Sequence, residues 1–126
     1  MSGHWEWLKD AERELKRSRE RLESGDWEYT CYHAQQCAEL ALKAYLVKFG
    51  NFLREHSLVK LYERCRVYGL TLTATRREPV ELSKHYSAAR YRNARRRLRV
   101  VYSREVAEAC LKLAARILEE VKTQIG

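Results

Sequence analysis

The stretch Trp27-Glu28-Tyr29-Thr30-Cys31-Tyr32-His33-Ala34-Gln35-Gln36-Cys37-Ala38-Glu39-Leu40-Ala41-Leu42-Lys43-Ala44-Tyr45-Leu46-Val47-Lys48-Phe49 decides the fold. Trp27, Cys31, Ala34, Ala38, Leu42, Tyr45 and Phe49 recur at three- and four-residue spacing and line one side of a helix. Leu40, Ala44 and Val47 add apolar surface on a second side. A helix apolar on two sides is expected at the centre of a bundle. Yet Gln35, Gln36, Glu39 and Lys43 sit in its middle. Polar groups there must find partners or face a cleft. Glu39 and Lys43 form an i,i+4 pair in the favourable order, which supports the first alternative; a functional cleft is the second.

The flanking sequence reads as further helices. Residues 5–23 are amphipathic, with Leu8, Ala11, Leu15 and Leu22 inward and Lys9, Arg13, Arg17 and Glu20 outward. Ser24-Gly25-Asp26 ends that helix, Gly25 as the left-handed residue and Asp26 as the next N-cap. The central helix closes at Gly50-Asn51. Ser57 caps a third helix with Leu58, Leu61, Tyr62 and Cys65 inward, and residues 69–76 are a threonine-rich loop. Pro79 fits the first turn of a fourth helix, with Val80, Leu82, Tyr86 and Ala89 as its inner face. An arginine-rich linker, partly helical, follows. Ser103 caps a fifth helix to about Gln124, carried by Val106, Cys110, Leu113, Ile117 and Val121. The expected fold is all-α, an up-and-down bundle of four to five helices in a single domain over residues 1–126.

Several segments carry a family resemblance in order. Tyr32 to Ala44 follows the pattern aromatic-x-x-Ala-Gln-Gln-x-Ala-Glu-x-x-Leu-Lys-Ala. Trp7-Leu8-Lys9-Asp10-Ala11 and Gly25-Asp26-Trp27 precede it; Gly50, His56-Ser57-Leu58-Val59-Lys60-Leu61 and Tyr86…Arg90-Tyr91 follow. Together they resemble the HEPN domain, a family of small all-helical archaeal and bacterial proteins often encoded beside a minimal nucleotidyltransferase. The resemblance covers nearly the whole chain. It implies a homodimer, with which leftover apolar area on the two-sided central helix is compatible. It also implies a nucleotidyltransferase partner, as in toxin–antitoxin pairs. At one point the chain departs from the pattern: Arg92 stands where proline is usual after Arg90-Tyr91, and proline would fix a bend there.

Composition narrows the function classes. The chain has 126 residues, 45% hydrophobic and 33% charged, with one proline and five glycines. That suits a helical globular protein rather than a disordered one. No apolar run is long enough to span a membrane, and Met1-Ser2-Gly3-His4-Trp5-Glu6 lacks the layout of a secretory signal, so a cytoplasmic location is expected. Cys31, Cys37, Cys65 and Cys110 form no Cys-x-x-Cys pair and read as buried free thiols. No His/Cys spacing resembles a zinc site, so neither metal nor cofactor is expected.

Net charge is +8, from 25 basic and 17 acidic residues. Residues 90–99 hold six arginines and carry most of that excess. Arg90, Tyr91, Arg92, Arg95, Arg96 and Arg97 are the candidate nucleotide or RNA phosphate site, since guanidinium binds phosphate bidentately and tyrosine can stack on a base. The alternative is a solvated basic face. Many HEPN proteins are metal-independent ribonucleases with an Arg-x(4–6)-His motif, and that spacing is absent here. Arg77 to His85 is too long, and the position five after Arg92 is Arg97, which cannot act as a base. The catalytic candidates left are His85, expected near the Tyr86-Ala89-Arg90 cleft, and His56, just before the third helix. The favoured reading is a non-catalytic HEPN protein that binds a nucleotide or RNA beside a nucleotidyltransferase. The rivals are a degenerate endoribonuclease and a helical assembly module.

Overall fold

The computed structural model describes residues 3–126; Met1 and Ser2, which open the N-terminal segment read above, lie outside them. Seven helical segments follow one another among these residues: α1 (His4–Glu23), α2 (Trp27–Lys48), α3 (Leu58–Val67), α4 (Arg77–Ser83), α5 (His85–Ala88), α6 (Arg92–Arg97) and α7 (Arg104–Gln124). No strand occurs among the described residues. The fold is the expected all-α bundle.

The helix ends follow from local chemistry. Gly25 takes a left-handed φ of 79°, and the amides of Gly25 and Asp26 return to the carbonyls of Leu22 and Arg21. This paired closure satisfies carbonyls that the end of α1 would leave open. Asp26 then caps α2, its side chain accepting from Tyr29 N. Ser57 and Ser103 cap α3 and α7 the same way, accepting from Lys60 N and Val106 N.

The central helix α2 packs against α1, α3, α4, α5 and α7. Cys31, Ala34, Ala38, Leu42 and Tyr45 are buried as the periodicity requires. On its second apolar side Ala44 is buried, while Leu40 and Val47 keep partial exposure. From α7, Ala107, Cys110, Leu113, Ala114, Ile117, Leu118 and Val121 complete the core. Ser18, buried on α1, donates to the Thr30 carbonyl across the α1–α2 interface at 2.7 Å.

The expected fourth helix is broken. α4 begins at Arg77, two residues before Pro79, and gives way at Lys84 to the single turn α5. The facing of the segment also differs from the expected one. Leu82 and Ala89 are buried as expected, but Val80 is 41% exposed, Tyr86 is half-buried, and His85 takes the core position instead.

Candidate functional site

Tyr32, Gln35, Gln36, Glu39 and Lys43 recur at helical spacing along one face of α2. Gln35, Glu39 and Lys43 are buried at 0%, 3% and 7% exposure, so each needs a partner. Glu39 is the hub. Its Oε2 accepts from Lys43 Nζ at 2.8 Å, and its Oε1 accepts from Gln35 Nε2 at 3.1 Å. Gln36 Nε2 donates to Gln35 Oε1 at 2.7 Å, and His56 Nδ1 lies 3.1 Å from Glu39 Oε1. Gln35 Nε2 also donates to the His56 carbonyl, which ties the loop before α3 onto α2. The polar residues are thus satisfied internally, and through His56 the network reaches solvent, since that side chain is 51% exposed.

The His56 ring stacks on Tyr86 at a centroid distance of 3.8 Å and an interplanar angle of 13°. Tyr86 leads directly to Arg90. Arg90 Nε donates to the Tyr86 carbonyl at 2.8 Å, and the guanidinium lies over three rings: Tyr86 at 4.4 Å, Tyr91 at 4.9 Å and Tyr32 at 5.3 Å. Such contacts hold a guanidinium without neutralising it. No carboxylate pairs with Arg90 among the described residues. Burial raises the pKa of Tyr32, with Arg90 opposing it, so the ring beside the guanidinium stays a neutral phenol.

The bend that proline would fix is present without it. Tyr91 is extended, with φ −123° and ψ 122°, and Arg92 is the first residue of α6. That is the helical position proline favours, and arginine also fits it. The arginine run is partly helical, as expected, with α6 over Arg92–Arg97 and non-helical chain up to Ser103. The end of α6 uses the same paired closure as α1, the amides of Arg99 and Val100 returning to the carbonyls of Arg96 and Arg95, with Arg99 at φ 56°.

The run divides by role. Arg92, Arg96 and Arg97 are exposed, whereas Arg95 turns inward. Arg95 donates through Nε to the Ala88 carbonyl and through Nη2 to the Ala89 carbonyl, both at 3.1 Å, and lies over the Tyr102 ring. It clamps α6 onto the end of α5, so its placement among the phosphate ligands is corrected to a structural role.

His85 is corrected as well. It does not share the Arg90 face. Neighbouring helical residues point about 100° apart, so with Tyr86 toward Arg90 its predecessor faces the core. His85 is 5% exposed, and its Nδ1 lies 2.7 Å from the Tyr102 hydroxyl. There it meets Cys31 of α2 and Cys110 of α7, the three ligating atoms lying within 4.8 Å of one another. All four cysteines are buried and free, as expected. Cys37 and Cys65 are isolated, and burial pushes both thiols up to about 12. Cys31 and Cys110 instead act on one another: hydrogen bonding with Cys31, helped by His85, lowers the Cys110 thiol, while the same contact and burial raise that of Cys31. The remaining histidine of α2, His33, pairs with Glu14 of α1 at 2.6 Å. Burial favours the neutral acid at Glu14, but His33 and Arg17 outweigh it and hold the carboxyl below its usual range.

A family model described as HEPN domain matches residues 4–124. The chain is similar to a Methanocaldococcus jannaschii protein described as "Putative toxin MJ1304", with 28% identity over 91% of this chain and 83% of that protein. Among solved structures, TT1696 from Thermus thermophilus superposes with a TM-score of 0.80 at 29% identity, covering 98% of both chains. ST0689, described as an archaeal HEPN homologue, superposes with a TM-score of 0.75 at 30% identity over the full length of both. No helix among the described residues is long and apolar enough to cross a membrane.

Proposed function

The chain belongs to the HEPN domain family, and on that premise we propose that it binds a nucleotide or RNA phosphate on the face built from Arg90, Tyr32, Tyr86 and Tyr91. One observation carries this reading: Arg90 is held by rings and a backbone carbonyl, with no carboxylate paired to it among the described residues. A charged group set this way keeps its hydrogen-bonding capacity for an incoming anion. Tyr91, 56% exposed, is placed to stack on a base, and Arg92, Arg96 and Arg97 extend the positive surface along the backbone of a longer ligand. The likeness to a protein named as a toxin supports a role in a two-protein module. Family resemblance supplies the proposed partner, a minimal nucleotidyltransferase, and the homodimeric state.

The test is a salt titration of affinity for a short single-stranded RNA and for ATP. Replacing Arg92, Arg96 and Arg97 together by glutamine is expected to flatten the salt dependence for RNA by about 2 in log–log slope, at roughly 0.7 per phosphate. Arg90→Ala is expected to weaken both ligands about tenfold or more even at high salt, because it removes a charge-assisted contact of about 1.5–3 kcal/mol. Identical curves for wild type and both variants would leave the arginine run as a solvated face and favour an assembly module.

A second reading rests on His56. It is a half-exposed histidine, oriented by a buried carboxylate and stacked on the ring that leads to Arg90. Those are parts a metal-independent ribonuclease uses, although their chain order is not that of the family motif. The expected result with structured or single-stranded RNA in EDTA is no cleavage. Cleavage that is lost in His56→Ala but kept in His85→Ala would transfer the function to this reading.

A further inference from the structure

We propose that Cys31, His85 and Cys110 form a zinc site that joins α2, α5 and α7. The three residues come from three separate helices and converge at one buried point, with exposures of 0%, 5% and 7%. Their ligating atoms lie within 4.8 Å of one another. A tetrahedral site with Zn–S near 2.3 Å and Zn–N near 2.0–2.1 Å places ligand atoms about 3.5–3.8 Å apart. Closure therefore requires about 1 Å, within the range of side-chain torsions and without moving a helix.

The chemistry of the set selects the ion. Two thiolates and an imidazole are ligands of a soft or borderline cation, unlike the oxygen ligands of calcium and magnesium. Two thiolates also cancel the charge of a divalent ion, so the site adds no net charge to the interior. Binding releases to solvent the protons that the two thiols still hold. The hydrogen bond between His85 Nδ1 and the Tyr102 hydroxyl fixes the ring and leaves Nε2 as the coordinating nitrogen. An outer partner of this kind is a regular companion of a ligating histidine. A cavity of about 490 Å³ lies against Cys110 and His85, walled by Leu98, Val100, Val106 and Leu113. A water or a small ligand can occupy the remaining coordination position from that side.

Cys65 is equally buried but belongs to no such cluster among the described residues. Metal binding would take the Cys31 thiol from the Val106 carbonyl, to which it donates at 3.9 Å. Tyr102 also joins the site to the arginine segment, because Arg95 rests on its ring.

The experiment uses the full chain, reduced and stripped with chelator, titrated with Co²⁺ and then Zn²⁺. One equivalent of Co²⁺ is expected to give thiolate charge-transfer absorption and the strong visible bands of a tetrahedral site, both erased by Zn²⁺. Zn²⁺ should also raise the thermal midpoint. Cys31→Ala, Cys110→Ala and His85→Ala are expected to lose the bands, and Cys65→Ala to keep them, with folding checked by circular dichroism. Tyr102→Phe removes no ligand and should weaken Zn²⁺ binding about 10–100-fold. Absence of the cobalt bands in the reduced wild type would overturn the proposal. So would their survival in folded Cys110→Ala, or a Cys31–Cys110 disulfide found by mass spectrometry in place of bound metal.

Discussion

Leu42→Asp is expected to leave the chain unfolded. Leu42 is 1% exposed at the middle of α2, the helix that every other major element packs against. The substitution removes a core side chain, which costs about 2–5 kcal/mol for truncation alone. It then places a carboxylate where no cation is available to it. Ionised, that carboxylate would face a large desolvation penalty; neutral, it still leaves a buried polar group to satisfy. Domains of this size have about 5–15 kcal/mol of stability in total, so the sum is enough to abolish folding. Circular dichroism and thermal melting provide the readout. Leu42→Ala is the control, expected to fold with a lowered midpoint. A soluble Leu42→Asp protein that melts cooperatively would show that this face of α2 is not the core.

The second large effect is expected at Glu39. The Glu39–Lys43 pair has side chains only 4% and 9% exposed, so it behaves as a buried ion pair and not as a surface one. Glu39→Ala removes the carboxylate that pairs with Lys43 and also takes one partner each from the Gln35 amide, which keeps the His56 carbonyl, and from the His56 ring. Breaking such a pair from one side costs about 3–5 kcal/mol. Removing both charges is a different operation. The double variant Glu39→Met, Lys43→Met is expected to lose far less than the single one, because desolvation of the two ions disappears with their attraction. Chemical denaturation of the single and double variants decides the matter. A loss below about 1 kcal/mol in Glu39→Ala would class the pair with exposed salt bridges.

How much of this was legible in the chain differs by element. Asp26, Ser57 and Ser103 were readable as N-caps because capping is a local event between a side chain and an amide three positions on. The stripe of α2 was readable because burial on one face imposes a fixed period. The break at Lys84 was not, since no glycine or proline marks it. The misplacement of Val80 and His85 is one of facing: Pro79, Leu82, His85 and Ala89 make the buried stripe, at a three- and four-residue spacing that also fitted the neighbouring positions. Gln35 and Glu39 stood out as polar residues inside an apolar pattern, although their link to His56 depends on where the loop before α3 crosses α2. Tyr32 and Tyr86 were present in the motifs, but their convergence on Arg90 is a tertiary fact. The Cys31–His85–Cys110 cluster left no spacing signal at all, because three distant helices each contribute one residue.

Arg95 has a consequence for affinity. By donating to the Ala88 and Ala89 carbonyls at the end of the α5 turn, it supplies from the next helix the cap that this turn lacks. The corner carrying Arg90 and Tyr91 is therefore set when the chain folds. Immobilising a side chain at the moment of binding costs about 0.5–1.5 kcal/mol, and for the phosphate ligand proposed at Arg90 part of that ordering would precede binding. On that reading Arg95 would lower the entropy lost on association by holding the corner in place, beyond any charge it adds.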